Sequence, residues 1–352
     1  MNVLEILRQA IDAGASDVHI TVASPPIMRV NGKLIRMSEQ KLMPEDTKIL
    51  IREILTKDQI AAFEENGELD LSYSHPGLGR FRVNVYMQRG SYCMAMRVVM
   101  LTIPTMEELK LPSILKELSQ KQRGLILVTG PTGSGKSTTL AAMIDYMNKN
   151  RNDHIMTIED PIEYLHKHDK SIVNQREIGN DSKSFANALR AALRQDPDVI
   201  LVGEMRDLET MATAITAAET GHLVLSTLHT IGAVKTVDRI IDVFPPHQQQ
   251  QIRIQLASVL EAVISQQIMP KADGTGRVAA FEVMVATNAI RNLIREGKTH
   301  QMQTVIQTGS AVGMQTMDAS LMTLYKNRVI DQATLKKYAI DIDMLNKQLG
   351  YL

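Results

Sequence analysis

Hydrophobic and polar residues follow different patterns in the two halves of this chain. Up to about residue 100, short apolar stretches are separated by turn residues, and residues 80–86 alternate in polarity as a half-buried strand does. Asn31 and Gly32 stand between two of these stretches and predict a tight β-hairpin. The pattern predicts a small α/β domain over residues 1–100.

Beyond this domain, apolar runs alternate with helical segments. The uninterrupted runs predict strands of a largely parallel sheet that is covered by helices on both faces. A hairpin follows, with predicted strands at 264–269 and 278–285. Two prolines predict a linker at 101–115, and helical patterns broken by glycines predict a helical region at 289–352. The apolar runs occupy residues 125–129, 155–158, 199–202 and 223–226.

Composition narrows the class of protein. A chain of 352 residues predicts two or three domains. Basic and acidic residues number 39 each, and this neutral balance argues against nucleic acid as a partner and against broad binding to anionic lipid. Cys93 is the one cysteine, which excludes an intrachain disulfide and a cysteine-rich zinc site. The chain shows neither a signal-peptide pattern nor an apolar run of about 18 residues, so we expect a cytoplasmic protein.

The most informative local pattern is a glycine-rich stretch at residues 130–137. Its sequence, Gly-Pro-Thr-Gly-Ser-Gly-Lys-Ser, fills every fixed position of the phosphate-binding P-loop. An apolar run precedes the stretch and a helical pattern follows it, which is the order of strand, loop and helix that the motif requires. A glycine-rich surface turn is the alternative, which the complete motif and its flanks disfavour.

The chemistry of a P-loop follows from these residue types. The glycines let backbone N–H groups point at an anion, and the following helix adds the positive end of its dipole. Lys136 is predicted to reach the β- and γ-phosphates, and Ser137 to help hold Mg²⁺. We therefore expect the chain to bind ATP and Mg²⁺. The predicted nucleotide-binding residues are Gly130, Pro131, Thr132, Gly133, Ser134, Gly135, Lys136, Ser137 and Thr138.

Two acidic clusters follow predicted strands and can supply the carboxylates that ATP hydrolysis needs. Residues 157–164 begin at the end of one strand and contain Glu163, the candidate general base. Residues 198–204 form a buried strand that ends in Glu204. This resembles a Walker B element, although an aspartate is commoner at that position. We expect Glu204 to be the acid nearest Mg²⁺ or its waters.

A further predicted strand has a histidine at each end, His222 and His229. At about 3.3 Å per residue the strand separates the two rings by ~20 Å, which disfavours one shared metal site. His229, at the carboxyl end of the strand, is a candidate to hydrogen-bond the γ-phosphate or its water. His222 fits a core histidine better.

Arginines upstream of the P-loop share one predicted strand face. Arg80 and Arg82 alternate with apolar residues, and Arg97 lies on the next predicted strand. Guanidinium groups placed in this way can neutralise charge on a transferring phosphoryl group. A solvated sheet face is the alternative, and this segment alone favours it.

Four elements in sequence order resemble the secretion ATPases of type II and type IV pilus systems. They are similar to that family's Walker A loop, Asp box, atypical Walker B element and His box, at residues 130–137, 157–164, 194–207 and 219–230. Residues 289–298, Ala-Ile-Arg-Asn-Leu-Ile-Arg-Glu-Gly-Lys, are similar to a signature of the retraction members of the family. The resemblance covers essentially the whole chain.

The resemblance implies a fold and a set of residue roles. The fold class is α/β, with a PAS-like domain at 1–100, a RecA-like P-loop ATPase core at 116–288 and a helical region at 289–352 that carries the signature. Glu163 matches the catalytic glutamate of the Asp box, Glu204 the Walker B glutamate and His229 the second histidine of the His box. The arginines that correspond to phosphate contacts are Arg82 and Arg97, with Arg80, Arg190, Arg194 and Arg206 as weaker candidates.

Within the signature, helical periodicity predicts which side chains pack and which are exposed. Ile290, Leu293 and Ile294 are predicted to face inward. Arg291, Arg295 and Lys298 are predicted to stay outside as a basic face, which suits a partner and is equally compatible with a solvated surface.

The resemblance implies a homohexameric, ATP-hydrolysing motor that powers pilus retraction. It implies an inner-membrane platform protein as partner, and a cytoplasmic location at the inner face of the cell membrane with peripheral association through partners only. Extension ATPases of the family usually carry a further domain and a four-cysteine zinc site, from which this chain departs. An accessory retraction ATPase, an assembly ATPase, a RecA-like nucleic-acid motor and a regulatory nucleotide switch are the alternatives.

Overall fold

The structure, a computed structural model, describes residues 2–30, 32–99 and 102–348. The chain divides into two compact units. The first unit comprises Met1–Thr102 and Glu163–Leu165, and the second comprises Ile103–Ile162 and His166–Leu352. None of the helices within the described ranges has the length and apolar character that a bilayer crossing requires.

The first unit is built on a six-stranded sheet whose neighbouring strands all pair antiparallel. Its strands are β1 Asp17–Ile20, β2 Ile27–Val30, β3 Lys33–Arg36, β4 Glu68–His75, β5 Gly79–Gln88 and β6 Ser91–Val98. Their order across the sheet is β3-β2-β1-β6-β5-β4. Phe81, Val83 and Val85 of β5 are buried, while Arg82 between them is exposed, because successive side chains of a strand point to opposite faces.

Three helices cover the buried face of this sheet. They are α1 Val3–Asp12, α2 Pro44–Arg52 and α3 Lys57–Asn66. Each begins where the sequence supplies partners for the free N–H groups of the first turn: the Asn2 side chain accepts from the N–H of Glu5, and Thr56 accepts from that of Gln59. Gly67 ends α3 in the left-handed conformation, with φ of 79°.

The second unit is built on a seven-stranded, mostly parallel sheet. Its strands are β7 Gly124–Thr129, β8 His154–Glu159, β9 Ile172–Glu177, β10 Val199–Val202, β11 Leu223–Leu228, β12 Leu260–Pro270 and β13 Arg277–Val285. Their order is β13-β12-β7-β11-β10-β8-β9, and only β12 and β13 pair antiparallel. The carboxyl ends of β7, β11, β10 and β8 therefore meet at one edge of the sheet.

Helices cover both faces of this sheet. Leu125 and Leu127 of β7 belong to one buried cluster, and Ile126 and Val128 belong to another on the opposite face. The sheet is thus the middle layer of three, and the predicted α/β class with a sheet covered on both faces is confirmed. The helices are α4 Ile114–Leu118, α5 Lys136–Asn150, α6 Phe185–Ala192, α7 Leu208–Glu219, α8 Ala233–Val243, α9 Gln249–Val259, α10 Asn288–Arg295 and α11 Met302–Thr308.

Three further helices pack against the β12–β13 hairpin. They are α12 Met317–Lys326, α13 Gln332–Tyr338 and α14 Ile342–Gln348. Leu321, Leu335 and Leu345 from these helices are buried with Met269 and Ala280 of the hairpin in a small separate cluster. The carboxyl-terminal region is therefore attached to the edge of the second sheet through the antiparallel hairpin.

Some predicted elements differ from the structure. Strand β9 was not predicted, because only two of its six residues are apolar and it lies at the sheet edge. The hairpin strand predicted at 264–269 begins at Leu260, so it is longer than its apolar core. The turn predicted at Asn31 and the boundary predicted between residues 100 and 101 lie outside the described residues. The segment Ile103–Ile162 belongs to the second unit, where Met106 and Leu115 are buried.

Candidate nucleotide-binding site

Residues 130–135 form a loop between β7 and α5. Gly130, Gly133 and Gly135 all have positive φ, at 143°, 77° and 84°. Two features exclude a side chain at Gly130. Its φ is positive, and an added Cβ would lie 2.3 Å from the carbonyl oxygen of Gln266 on the neighbouring strand β12. The glycines are therefore required by the backbone path of this loop.

The loop leads into the amino-terminal end of α5, whose N-cap is Gly135. Because glycine has no side chain, no cap residue competes for the first free N–H groups of the helix. Such N–H groups, with the helix dipole behind them, favour an anion. Pro131, Thr132 and Gly133 are exposed, while Ser137 and Thr138 in the first turn are half-buried.

Lys136 is buried against this loop and its ammonium group is held in place by backbone oxygens. Its Nζ donates to the carbonyl oxygens of Gly130 at 2.9 Å and Pro131 at 3.1 Å. The hydroxyls of Thr129 and Ser134 are buried and have no hydrogen-bond partner among the described residues. A concave loop with a lysine, free N–H groups and unsatisfied hydroxyls suits a phosphate group.

Gln266 of β12 supports the loop, and the sequence did not indicate it. Its amide nitrogen donates to the carbonyl oxygen of Ser134, and its Oε1 accepts from the hydroxyl of Thr139 at 2.8 Å. Gln266 is 1% exposed, so both bonds lie in the core. The sole signal was a polar residue inside an apolar strand, and its partners lie more than 120 residues away.

Two of the predicted site residues meet at the carboxyl edge of the second sheet. Glu204 follows β10 and His229 follows β11, and Nε2 of His229 lies 3.5 Å from Oε2 of Glu204. Nε of Arg206 lies 2.7 Å from the other carboxylate oxygen. The loop that carries Glu204 is tied to β11, because the Thr227 hydroxyl donates to the carbonyl oxygen of Gly203 at 2.6 Å.

Glu159 ends β8 at the same edge, whereas Glu163 lies in a segment of the first unit. The Glu159 carboxylate accepts from the hydroxyl of Thr157 at 2.6 Å. Glu163 is exposed and belongs to the first unit. Just before it, the N–H of Ile162 donates at 3.0 Å to the buried Glu177, a residue that sequence reasoning missed because it lies on the unpredicted strand β9.

In the first unit, Arg82 and Arg97 are direct cross-strand partners between β5 and β6. Two like charges in this position repel each other, so they favour an anion between them. Arg97 has a carboxylate neighbour, since its Nε lies 3.0 Å from Oδ1 of Asp17. Burial raises the pKa of Asp17, but hydrogen bonds from Ser16 and Arg97 outweigh it and leave this pKa below its ordinary value.

The weaker arginine candidates have varied surroundings. Arg190 pairs with Glu209, with 2.6 Å between Nη2 and Oε1. Arg206 pairs with Glu204 as described above, and Arg194 is exposed. Arg80 is half-buried on β5. None of these positions alone singles out a phosphate contact.

The prediction that Arg291 stays outside α10 is wrong. Its guanidinium donates to the carbonyl oxygens of Ala257 at 2.8 Å and Ser258 at 2.9 Å, where α9 ends, and to Oε1 of Glu261 at 2.7 Å. The sequence showed the helical face but not the free carbonyls beside it.

The exposed basic surface of the signature is accordingly smaller than predicted. Arg295 and Lys298 are exposed, and Nζ of Lys298 lies 2.8 Å from Oε2 of Glu296. On the other face, Ile290 and Ile294 are buried and Leu293 packs against the same core, as predicted. Only two of the three predicted basic side chains therefore face solvent.

The three-layer fold and the loop at its strand edge define an α/β P-loop ATPase. A family model described as type II/IV secretion system protein matches residues 2–330. The chain therefore belongs to the type II/IV secretion system protein family, which confirms the resemblance that the four sequence elements carry.

Individual relatives are similar over nearly the whole chain. The chain is 49% identical to the type IV pilus retraction ATPase PilT of Pseudomonas aeruginosa over 339 residues, which cover 96% of this chain and 98% of that one. It is 45% identical to the type IV pilus ATPase PilU of the same organism over 321 residues, 91% of this chain and 84% of that one. A crystal structure of the pilus retraction motor PilT with bound ADP matches with a TM-score of 0.92 at 50% identity, covering all of both chains.

Proposed function

We propose that this chain is an ATP-hydrolysing motor that powers type IV pilus retraction and thereby twitching motility. The observation that carries the proposal is a P-loop of suitable geometry in a chain that is 49% identical to a pilus retraction ATPase over 96% of its length. The retraction motor of similar structure holds ADP, which supports nucleotide binding by this chain as well.

ATP is bound by the loop and the start of α5, residues 130–138. The N–H groups that follow Gly135 and the ammonium group of Lys136 hold the β- and γ-phosphates. Lys136 is already directed into the loop by two carbonyl oxygens, so binding exchanges these contacts for phosphate oxygens. Gln266 keeps the loop in shape from the neighbouring strand.

Mg²⁺ fits this site in the manner usual for nucleotide enzymes, with phosphate oxygens and one or two protein oxygens as ligands. Within the described ranges no group of three or more His, Cys, Asp or Glu side chains could hold a metal ion by itself. Ser137 in the first turn of α5 and Glu204 after β10 are the oxygen donors we assign to the ion or its waters. The ion would neutralise charge on the phosphates.

Hydrolysis is assigned to five side chains, of which Glu204 is also an oxygen donor for the ion or its waters. Glu163 accepts the proton of the attacking water, and Glu204 would hold the ion or orient a water. His229 reaches the γ-phosphate region from a position 3.5 Å from Glu204, so the two act as a pair. Arg82 and Arg97 stabilise charge on the transferring phosphoryl group, since two facing guanidinium groups favour an anion.

The working assembly is a homohexamer that acts on an inner-membrane platform protein of the pilus. The chain would lie in the cytoplasm at the inner face of the cell membrane and reach the membrane through its partners only. The resemblance to retraction motors supports this assembly, and the exposed Arg295 and Lys298 of α10 offer a basic contact for a partner.

A deletion strain complemented with variants tests the proposed function. Deletion is expected to give cells that carry excess pili and do not twitch, because pili are assembled and not retracted. Wild type and Lys149→Ala, a lysine of the same helix that pairs with Asp145 on the surface, should restore twitching, whereas Lys136→Ala should not. Loss of pili in the deletion strain would point to an assembly ATPase instead.

The 45% identity to PilU favours one second candidate, an accessory retraction ATPase. A deletion strain that still twitches would indicate this accessory role. Strong stimulation of ATP hydrolysis by single-stranded DNA would instead indicate a nucleic-acid motor.

A further inference from the structure

Glu282 of β13 is a buried carboxylate that none of the assigned roles uses. It is 1% exposed, and burial raises its pKa although several hydrogen bonds oppose this effect. Its Oε1 accepts from the N–H of Ala233, the first residue of α8, at 2.7 Å. The N–H of Met317, the first residue of α12, and the side chain of Gln303 lie close enough to oppose the rise of this pKa. One carboxylate therefore binds the start of α8 and faces the start of α12.

On one side of Glu282 the chain leads directly back to His229. Gly232, the N-cap of α8, lies three residues after His229, and its N–H donates to the hydroxyl of Ser265 at 2.9 Å. Gly232 has φ of 91°, and an added Cβ would lie 3.7 Å from Oε1 of Glu282. The first N–H groups of α8 are thus satisfied by side chains from β12 and β13, because the N-cap is a glycine.

On the other side of Glu282 lies the carboxyl-terminal region. Gln315 and Val283 exchange two backbone hydrogen bonds, of 2.9 and 3.1 Å, and these place Met317 beside Glu282. Helices α8 and α12 border the same cleft, which has a volume of about 950 Å³. The Glu282 carboxylate lies between the two helix starts at the edge of this cleft.

We propose that Glu282 is a positioning residue that holds the His229 segment in place by tying the start of α8 to the start of α12. This proposal rests on the proposed function, in which His229 acts at the γ-phosphate. Through the tie, the carboxyl-terminal helices influence hydrolysis without contacting the nucleotide. The free N–H groups of two helices also make this a favourable place for a carboxylate.

Glu282→Gln is the most selective way to break the tie. A carboxylate offers two acceptor oxygens to the three donors around it, whereas an amide offers one oxygen and turns a donating NH₂ group toward another donor. At least one helix start then loses its partner, and a buried N–H without a partner is costly. Ser320→Ala is the matched control, because the Ser320 hydroxyl accepts from the N–H of Phe281 and so joins α12 to β13 without involving α8.

The experiment measures turnover, ATP affinity and amide hydrogen exchange in the full-length protein. For Glu282→Gln we expect kcat to fall about tenfold, with the dissociation constant for ATP within about twofold of wild type. Exchange at residues 230–236 should become faster, because the start of α8 is released. Ser320→Ala should match wild type in all three measurements.

Three results would overturn the proposal: unchanged exchange at 230–236 in Glu282→Gln, an unchanged kcat in an active protein, or equal losses in Ser320→Ala. If Glu282→Gln does not fold, Ser265→Ala is the substitute variant. It is expected to show faster exchange at 230–236 and a kcat about threefold below wild type. Wild-type values for Ser265→Ala would overturn the proposal. If the wild type hydrolyses no ATP, the proposed function fails, and the exchange measurement alone decides on the tie.

Discussion

The two sheets of this molecule place their charged side chains in different ways. In the parallel sheet of the second unit, Lys136, Glu204 and His229 all follow the carboxyl ends of strands. In the antiparallel sheet of the first unit, Arg82 and Arg97 lie within strands and face each other across a ladder. Parallel strands collect functional residues at one edge, and antiparallel strands arrange them in a row on one face.

This difference decides how well each set of charged residues can be predicted from the sequence. A polar residue after an apolar run already indicates the edge of a parallel sheet, as the contact between Glu204 and His229 shows. The arginine row depends on register, because a shift of one residue would turn Arg82 into the core and Val83 out of it. Its meaning also depends on Asp17, which neutralises Arg97 from strand β1.

The largest expected effect comes from the parallel sheet. Lys136→Ala removes the only charged side chain of the loop, so ATP affinity should fall at least about 100-fold and hydrolysis should become undetectable. Titration with a fluorescent ATP analogue and phosphate release measure the two quantities. Lys149→Ala, on the same helix α5, should change neither ATP affinity nor hydrolysis. Equal losses in Lys149→Ala would show that the positive charge of the helix matters in general, rather than its position at the loop.

Acid should destabilise the protein through His166, which lies between β8 and β9. Burial lowers the pKa of its imidazole to about 4, whereas an unfolded histidine has a pKa of about 6.5. As the pH falls, the unfolded chain therefore binds a proton at this histidine before the folded chain does. The free energy of unfolding is unaffected by His166 above pH 6.5 and decreases between pH 6.5 and pH 4. The resulting loss of unfolding free energy amounts to about 2 kcal/mol at pH 5.

Urea unfolding at pH 7.5 and pH 5 checks this expectation in wild type and His166→Gln. The variant should lose about 2 kcal/mol less than wild type between the two pH values, since glutamine does not titrate. An identical pH dependence in both proteins would show that the imidazole is protonated equally in the folded and unfolded chain.

The arginine row allows the smallest and most selective test. Arg82→Ala should lower kcat about tenfold without loss of stability, because it removes the proposed phosphate contact and relieves repulsion from Arg97. Arg97→Ala should lower kcat similarly and also cost up to about 0.5 kcal/mol, since Asp17 loses the nearer of its two arginine neighbours.

Arg29→Ala is the matched control for this pair. Its Nε lies 3.7 Å from the other oxygen of Asp17, and it has no assigned role toward phosphate. We expect a small loss of stability at normal turnover. If all three variants lowered kcat alike, the row would act through the shape of the sheet rather than through phosphate.

Much of the second unit was predictable because its strands are locally apolar. Strands β7, β8, β10 and β11 and the loop between β7 and α5 follow from contiguous residues. Strand β9 did not, because an edge strand needs little apolar surface. The hydrogen bonds of Gln266 and Glu282 could not be predicted either, since they join segments that are far apart in sequence.

Arg291 shows the same limit in another form. Helical periodicity correctly separates Ile290 and Ile294 from the outer face. It does not show that α9 ends beside Arg291 and offers it two carbonyl oxygens. A charged side chain on an outer helix face is therefore exposed only where no neighbouring helix ends against it.

Hydrolysis that depends on Glu163 tests the proposed motor most directly. The measurement is phosphate release by purified Glu163→Gln at saturating ATP and Mg²⁺, alongside the dissociation constant for ATP. Glu65→Gln, an exposed glutamate of α3, is the control and should behave as wild type. We expect Glu163→Gln to bind ATP within about twofold of wild type and to lose at least about 100-fold in kcat. Near-normal turnover by Glu163→Gln would contradict the assignment of this glutamate as the general base.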